Sequence, residues 1–148
     1  MPLRSLRASD PASIATWLPA IASAIGCERW SSEDALNGAV GRKEVLLYHD
    51  DAGEAFVAYA LDTPKRGAAR VELLAVAPDK RRLGIAGRAA LALERRLARS
   101  TKRIYVVVPS TIGLALYFWL RLGYRPLTQR EWPEPLDDTS TWMVRELR

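Results

Sequence analysis

A strand-to-helix junction in the middle of the chain restricts its fold more than any other feature. Residues 69–78, ARVELLAVAP, form an apolar run that predicts a strand, and its continuous apolar end favours a strand covered on both faces. The segment RRLGIAGR, residues 81–88, follows, and the residues after it have the apolar spacing of a helix. A strand, a basic loop with two glycines and a helix are therefore predicted in immediate succession.

The start of this helix is suited to binding an anion. The first backbone N–H groups of a helix lack intrahelical partners, and the helix dipole makes that end electropositive, which favours phosphate. Gly84 and Gly87 have no side chains to hold a ligand away from the backbone, and Ala86 is nearly as small. Three arginines add positive charge: Arg81, Arg82 and Arg88.

Two familiar phosphate-binding motifs do not match this stretch. The glycines are not followed by Gly-Lys-Ser/Thr, and the Gly-x-Gly-x-x-Gly fingerprint of dinucleotide-binding proteins is missing from the sequence. Taken alone, the stretch leaves a second interpretation open, namely a loop with surface arginines that leads into a glycine-softened helix start.

The other patterns predict one α/β or α+β domain with a mixed sheet, a size that 148 residues suit. Asp10 and Pro11 predict the cap and first turn of a helix that Pro19 should kink or break, and Ser31 or Ser32 predicts the start of another. Later helices are expected at residues 84–100 and 110–122. Strands are expected at residues 3–6, 44–50, 54–62, 69–78, 103–109, 124–132 and 140–147.

Composition narrows the function classes. The net charge of +5 suits an anionic partner. No apolar run approaches the roughly 20 residues that span a bilayer, and the first residues lack the apolar core of a signal peptide, so a cytoplasmic protein without a membrane partner is expected. Cys27 is the single cysteine, which excludes an intrachain disulfide and a thiolate metal cluster. His49, the single histidine, is expected in a solvated turn.

Residues 71–94, VELLAVAPDKRRLGIAGRAALALE, resemble the acetyl-coenzyme A signature of the GNAT superfamily of N-acetyltransferases. That family carries Arg/Gln-x-x-Gly-x-Gly/Ala at a strand-loop-helix junction, and Arg81, Gly84 and Ala86 fit the pattern. The resemblance covers nearly the whole chain, from the first helix to the last strand. It implies a single domain over residues 1–148, with a mixed, mostly antiparallel central sheet flanked by about four helices.

The resemblance also implies a cofactor site for acetyl-coenzyme A, the co-substrate, and no metal. The backbone amides of residues 82–87 would hold the pyrophosphate, and the backbone of Leu74 and Val76 would pair with the pantetheine arm like an added strand. The residues assigned to cofactor binding are Leu74, Ala75, Val76, Arg81, Arg82, Leu83, Gly84, Ile85, Ala86, Gly87, Arg88, Ala115 and Trp119.

Acetyl transfer to a primary amine requires a base, because the amine must lose a proton to become a nucleophile. Glu72 is the candidate, since it lies in the apolar segment RVELLAV on the strand expected to line the groove. Strand alternation places Glu72 and Leu74 on one face and Leu73 on the other. The structural alternative is that Glu72 pairs with Arg70 or with a cation of a neighbouring strand.

The late helix departs from the family. Trp119 stands four residues before Gly123, where many members carry a tyrosine that protonates the leaving thiolate, and Ile112 stands where asparagine is common. Indole is not a useful acid near pH 7. Tyr117 is the remaining candidate acid, although it lies roughly 200° around the helix from Trp119. Packing alone for Tyr117, and departure of the thiolate without a protein acid, both stay open.

The resemblance implies an acceptor site shaped by the first two helices with their connection, AIGCERWSSED, and by the last hairpin. Trp30, Glu28 and Glu33 are candidates for binding a cationic amine, with Trp30 as an ordinary core residue the alternative. Cys27 is expected to be a small buried apolar residue.

The sequence leads to an N-acetyltransferase that acts on a primary amine of a small molecule or peptide. A catalytically silent coenzyme A-binding module of the same fold is the alternative. A nucleic-acid partner is disfavoured, because the arginines cluster at a helix start instead of lining an exposed face together with aromatic residues. A homodimer is compatible with the resemblance, since dimers are common in the family.

Overall fold

The computed structural model describes residues 2–77, 84–109, 113–137 and 139–147. The described residues form five α-helices and seven strands, as well as short 3-10 helices at Glu28–Trp30 and Gln129–Glu131. The helices are α1 (Asp10–Ile14), α2 (Leu18–Ala24), α3 (Glu33–Gly38), α4 (Ile85–Leu97) and α5 (Gly113–Arg121). The strands are β1 (Leu3–Ser5), β2 (Val45–Asp50), β3 (Gly53–Leu61), β4 (Ala68–Val76), β5 (Arg103–Pro109), β6 (Arg125–Pro126) and β7 (Ser140–Glu146).

The strands form one mixed sheet in the order β1-β2-β3-β4-β5-β7-β6. The pairing of β4 with β5 is parallel, and the pairings β1–β2, β2–β3, β5–β7 and β6–β7 are antiparallel. Because parallel neighbours need a long crossover connection, α4 lies between β4 and β5 in the chain. The expected mixed, mostly antiparallel sheet is confirmed.

The first predicted helix is broken, as Pro19 required. It forms α1 and α2, with Pro19 in the first turn of α2, where a proline ring and its missing N–H are tolerated. The break raises the number of helices to five, above the four or so expected. Asp10 is the first residue of α1, not the residue before it, and its carboxylate accepts a hydrogen bond from the backbone N–H of Arg7 at 2.6 Å.

Other local signals are confirmed at residue level. The Ser32 hydroxyl accepts the backbone N–H of Ala35 at 3.2 Å and so caps α3. The hairpin between β2 and β3 turns tightly, with Asp50 opposite Gly53. His49 lies within β2, not in the turn, and it is exposed.

The chain divides into two compact units. The first consists of Met1–Tyr59 and Leu73–Leu93, and the second of Ala60–Glu72 and Glu94–Arg148. In the first unit, buried residues of the early helices pack with apolar residues of β2, β3 and the end of β4. This core includes Ile14, Leu18, Trp30, Leu36, Val45, Leu47, Phe56, Leu73 and Ala75.

The second unit has its own core around Trp142, which is fully buried. Its buried members are Ala68, Tyr105, Leu127, Trp142 and Val144, and the partly buried Val107, Trp132 and Leu136 pack against them. In the described part of the chain, no helix is long and apolar enough to cross a membrane.

Candidate functional site

The start of α4 is one described part of the predicted cofactor site. Gly84 has φ +77°, a left-handed conformation that favours glycine, and its carbonyl accepts the backbone N–H of Arg88 at 3.1 Å. Ile85 is buried and anchors the helix start, whereas Gly87 is half-buried and a Cβ there would meet no atom within 4 Å. A side chain at Gly87 would therefore have room beside the first turn of α4. Arg81, Arg82 and Leu83 lie outside the described residues.

The side chain of Arg88 is held by an acidic residue at the end of β2. Its Nε donates to Oδ2 of Asp50 at 2.7 Å, and the same oxygen accepts the hydroxyl of Tyr48 at 2.8 Å. The other oxygen, Oδ1, accepts the backbone N–H of Ala52 at 2.8 Å. Much of the positive charge of Arg88 is thus balanced, and the pair links the first turn of α4 to β2.

These contacts set the protonation of the cluster. The hydrogen bond from Arg88 holds the pKa of Asp50 well below its ordinary value, and the hydrogen bonds from Tyr48 and Ala52 act in the same direction against desolvation. Burial raises the pKa of Tyr48, and the hydrogen bond to Asp50 raises it further. At neutral pH the cluster therefore contains an ionised carboxylate and a neutral phenol.

Gly84 is required by its surroundings as well as by its backbone conformation. A Cβ at this position would lie 2.7 Å from Nη1 of Arg88, closer than real Cβ atoms approach other atoms. The absence of a side chain therefore lets the guanidinium of Arg88 cross the turn that precedes α4.

The carboxyl half of β4 alternates as predicted. Leu73 and Ala75 are buried in the core of the first unit, whereas Glu72, Leu74 and Val76 are half-buried on the opposite face. The register between β4 and β5 runs from Ala68 opposite Arg103 to Val71 opposite Val106, and β4 continues beyond it through residues 72–76. The residues assigned to the pantetheine arm lie in this extension.

Arg70 lies two residues before Glu72, and both are on the same face of β4. Its guanidinium carbon is 5.1 Å from the centroid of the Trp142 ring, and its Nε is buried without a hydrogen-bond partner. Within the described ranges Arg70 forms no ion pair, and the alternative in which Glu72 pairs with a cation of a neighbouring strand stays open. An unpaired buried N–H costs about 1–3 kcal/mol, which makes this arginine unusual.

Trp119 of α5 is a packed residue, 8% exposed. Its ring makes edge contacts with Phe118 at 5.0 Å and with Tyr124 at 4.8 Å between centroids. Tyr117 is 59% exposed, with the guanidinium of Arg121 5.7 Å from its ring centroid. The two candidate positions therefore have opposite environments, as their separation around the helix requires. Ala115 is half-buried, and Ile112 lies outside the described residues.

The sequence-based prediction assigned no role to the polar cluster of Glu94, Tyr124 and Arg145 in the second unit. Glu94 is 9% exposed, and its Oε1 accepts Nε of Arg145 at 3.0 Å. Burial raises the pKa of Tyr124 far above its ordinary value, and the charge of Glu94 adds to this while Arg145 opposes it. Glu94 falls on the apolar face of α4 with Ala90 and Leu97, and that spacing is the signal that could have found it.

The residues proposed for the acceptor amine do not form a reachable site around Trp30. This indole is 2% exposed and packs edge-on against Phe56 at 5.4 Å, so it is a core residue. Glu28 and Glu33 are exposed, and Cys27 is partly buried against the same core. Across the described segments, no group of three or more potential ligands (His, Cys, Asp or Glu) is placed to hold a metal ion.

Comparison with known proteins gives a clear result for the fold. No protein-family model matches the sequence, and no curated protein matches it. Solved structures do match over almost the full length. An acetyltransferase of the GNAT family from Staphylococcus aureus Mu50 covers 99% of this chain with 98% of its own, at a TM-score of 0.69 and 14% identity. The chain has the GNAT fold.

Two further GNAT-fold matches carry more specific descriptions. The PaiA N-acetyltransferase from Thermoplasma acidophilum, solved in complex with coenzyme A, covers 97% of this chain with 97% of its own at a TM-score of 0.74 and 15% identity. The ribosomal-protein-S18-alanine N-acetyltransferase from Escherichia coli covers 98% of this chain with 92% of its own at a TM-score of 0.63 and 18% identity. At these identities the likeness concerns the fold.

Proposed function

We propose that this protein is an acyl-coenzyme A-dependent N-acetyltransferase that moves an acetyl group from acetyl-coenzyme A to a primary amine of a small molecule or peptide. The observation that carries the proposal is the glycine-led first turn of α4, which follows β4 in a chain with the GNAT fold. The coenzyme A bound to the PaiA enzyme of this fold supports the choice of co-substrate.

In the proposed complex, the first turn of α4 binds the pyrophosphate. The backbone N–H groups of Ile85, Ala86 and Gly87 have no intrahelical acceptor at a helix start, and the dipole of this 13-residue helix favours negative charge there. Arg81, Arg82 and Leu83 complete the proposed loop. Because Asp50 already engages the guanidinium of Arg88, we assign that side chain to bracing the turn, with its backbone amide adjoining the phosphate site.

We assign the pantetheine arm to the edge of β4 beyond the last residue paired with β5. The side chain of Ala75 is directed to the core of the first unit, so its contribution is the backbone between Leu74 and Val76. An extended arm that pairs with these peptide groups adds to the sheet as a strand would. This arrangement would bring the thioester toward Glu72 along the same strand.

In the proposed reaction Glu72 accepts a proton from the ammonium form of the substrate, and the neutral amine then attacks the thioester carbon and passes its second proton to solvent as the amide forms. The C–S bond breaks as the tetrahedral intermediate collapses, and coenzyme A leaves as the thiolate. The burial of Trp119 and the exposure of Tyr117 favour departure of the thiolate without a side-chain acid. Ala115 and Trp119 are then assigned to the wall near the thiol end.

Binding of acetyl-coenzyme A tests the first half of the proposal. A charge-only comparison is available at Gly87, where a side chain meets no neighbouring atom. Glutamate there places a carboxylate beside the phosphates, whereas glutamine has nearly the same shape and no charge. We expect Gly87→Glu to weaken binding at least about tenfold relative to Gly87→Gln in titration calorimetry. Equal affinities of the two variants for acetyl-coenzyme A would show that the phosphates do not bind at the start of α4.

Turnover tests the second half. Glu72→Gln keeps the shape of the side chain but cannot accept a proton, so kcat with an amine substrate should fall about 100-fold. Affinity for acetyl-coenzyme A should stay unchanged, as measured by the same calorimetry. A fall in kcat below about threefold would assign the base to water or to another residue.

The alternative is a coenzyme A-binding module without catalytic activity. The tryptophan at the tyrosine position of the family is the observation that favours it. Release of free thiol from acetyl-coenzyme A in the presence of an amine panel separates the two functions. Tight binding with no amine-dependent thiol release would establish the silent module.

A further inference from the structure

Arg70 is the cation within the described segments whose surroundings most require a missing partner. It lies on β4 in the second unit, where its Nε is buried and unpaired. Buried polar groups in folded proteins are almost always hydrogen-bonded, so an unpaired one calls for an explanation. A guanidinium has five donors, and contact with an aromatic face satisfies none of them in their own plane.

The guanidinium of Arg70 is held in a fixed place by Trp142. The indole ring is completely buried, and its N–H donates to the carbonyl oxygen of Glu134 at 2.9 Å. Tyr105 packs edge-on against the same ring at 5.9 Å between centroids, while Arg70 lies 5.1 Å from the ring centroid. Because the ring is buried and hydrogen-bonded, its contact with the guanidinium restricts where Arg70 can lie.

The strand register shows which way Arg70 leans. Arg70 is opposite Tyr105 on β5, and Tyr105 is opposite Val144 on β7. Trp142 belongs to the next row on this face, since it is opposite Val107. By stacking on Trp142, the guanidinium therefore leans toward the carboxyl end of β5, which in a parallel pair is also the direction from Arg70 to Glu72 on β4.

We propose that Arg70 binds a carboxylate of the acceptor substrate, and that the acceptor is therefore a small amino acid-like molecule with a carboxylate next to its primary amine. The proposal rests on the proposed acetyl transfer and on Glu72 as its base. Arginine suits this role because its planar fork matches a carboxylate with two parallel hydrogen bonds.

The placement of the two residues suits such a ligand. Arg70 and Glu72 are two positions apart on one face of β4, and the guanidinium of Arg70 leans toward Glu72. The amine nitrogen and carboxylate carbon of an α-amino acid are about 2.5 Å apart. A carboxylate bound at Arg70 would therefore place the amine on the Glu72 side of the same face.

The test compares each L-amino acid with its carboxamide, which keeps the amine and removes the negative charge. Amino acids of the twenty protein types are titrated into the protein saturated with coenzyme A, and their acetylation is followed by thiol release. We expect at least one acid to bind and react about 100-fold better than its amide. Arg70→Gln should remove that preference through KM, and Arg70→Lys should restore it in part.

Matched variants separate binding from packing. Arg66→Gln removes one exposed positive charge in the preceding turn and should leave the preference for the acid unchanged. Each Arg70 variant is used only if its affinity for coenzyme A and its unfolding midpoint match those of the parent protein. Equal losses for acid and amide in Arg70→Gln would make Arg70 a packing residue and overturn the proposal.

The outcome is distinguishable from a failure of the proposed function. Equal acetylation of acids and amides by the parent protein would leave the transferase standing and refute the carboxylate site. If no amine is acetylated, the transferase is refuted, and the calorimetry then decides the carboxylate site by itself. Binding of an amino acid that is lost in Arg70→Gln would support the site, and no binding of any of the twenty would overturn it.

Discussion

Arg88 and Arg70 are two arginines in different compact units, and they have opposite surroundings. Arg88 donates to Asp50 at 2.7 Å, and that carboxylate is fixed by Tyr48 and by a backbone N–H. Arg70 stacks on Trp142 and has a buried Nε with no partner. The first arginine links a turn to a neighbouring strand through an ion pair, whereas the second has no ion pair among the described residues.

The contrast shows that the position of an arginine in the sequence does not decide which group its side chain pairs with. Both arginines lie close to the predicted chemistry in the sequence, and the basic stretch makes Arg88 the more obvious phosphate ligand. Its contacts make the side chain of Arg88 a weaker candidate, because the ion pair with Asp50 already balances much of its charge. The contact of Arg70 with the Trp142 ring, in contrast, does not neutralise the guanidinium charge.

Of the changes considered, removal of the Trp142 side chain should lower the free energy of unfolding most. Trp142→Ala deletes a fully buried ring and leaves the carbonyl of Glu134 without its donor, so the free energy of unfolding should fall by about 3–5 kcal/mol. Urea denaturation measures the loss. Leu114→Ala, at a side chain that is 81% exposed, is the control and should change stability by less than about 0.5 kcal/mol. A similar loss in both variants would contradict the idea that packing fixes Arg70.

A methyl group at Gly84 should have an intermediate effect. Gly84→Ala places a side chain at φ +77° and against Nη1 of Arg88, so the free energy of unfolding should fall by about 1–2 kcal/mol. Gly87→Ala is the matched control in the same helix, because its Cβ meets nothing and alanine favours a helix. Thermal unfolding of the two proteins should shift in opposite directions, and equal shifts would contradict this account of the turn.

Neutralising Asp50 should have the smallest effect, and that effect should depend on pH. The folded pKa of Asp50 is lowered, so the carboxylate stabilises the fold at pH values above its unfolded pKa. This contribution is lost progressively as the pH falls from about 4, where the carboxyl of the unfolded chain becomes protonated, toward the lowered pKa of the folded state. Asp50→Asn should therefore be less stable than the parent at pH 7, and the difference should shrink toward pH 3.

The neighbouring Asp51 supplies the control for that experiment, because it is exposed and its change to asparagine alters the charge equally. Asp51→Asn should show little difference in urea denaturation at either pH. A stability difference for Asp50→Asn that stays constant from pH 7 to pH 3 would show that Arg88 is held by packing, not by the carboxylate.

Local signals in the sequence predicted most of the architecture. The strand before the basic loop, the helix that follows the glycines and the alternation around Glu72 are all confirmed. Pro19 divides the first apolar stripe into α1 and α2, as the sequence predicted. The assignments of Arg81, Arg82 and Leu83, which lie outside the described residues, stay predictions, as does the role of Glu72.

The sequence alone determined the order of the elements, the position of a helix start fit for phosphate and the face on which Glu72 lies. These properties depend on backbone preferences and on periods of two or 3.6 residues, which operate within short segments. Only the tertiary structure decided which side chains meet. Asp50 reaches Arg88 across 38 residues, and the stacking of Arg70 on Trp142 depends on the registers of β5 with β4 and with β7. Such contacts are set by pairing between distant segments, and no local pattern contains that information.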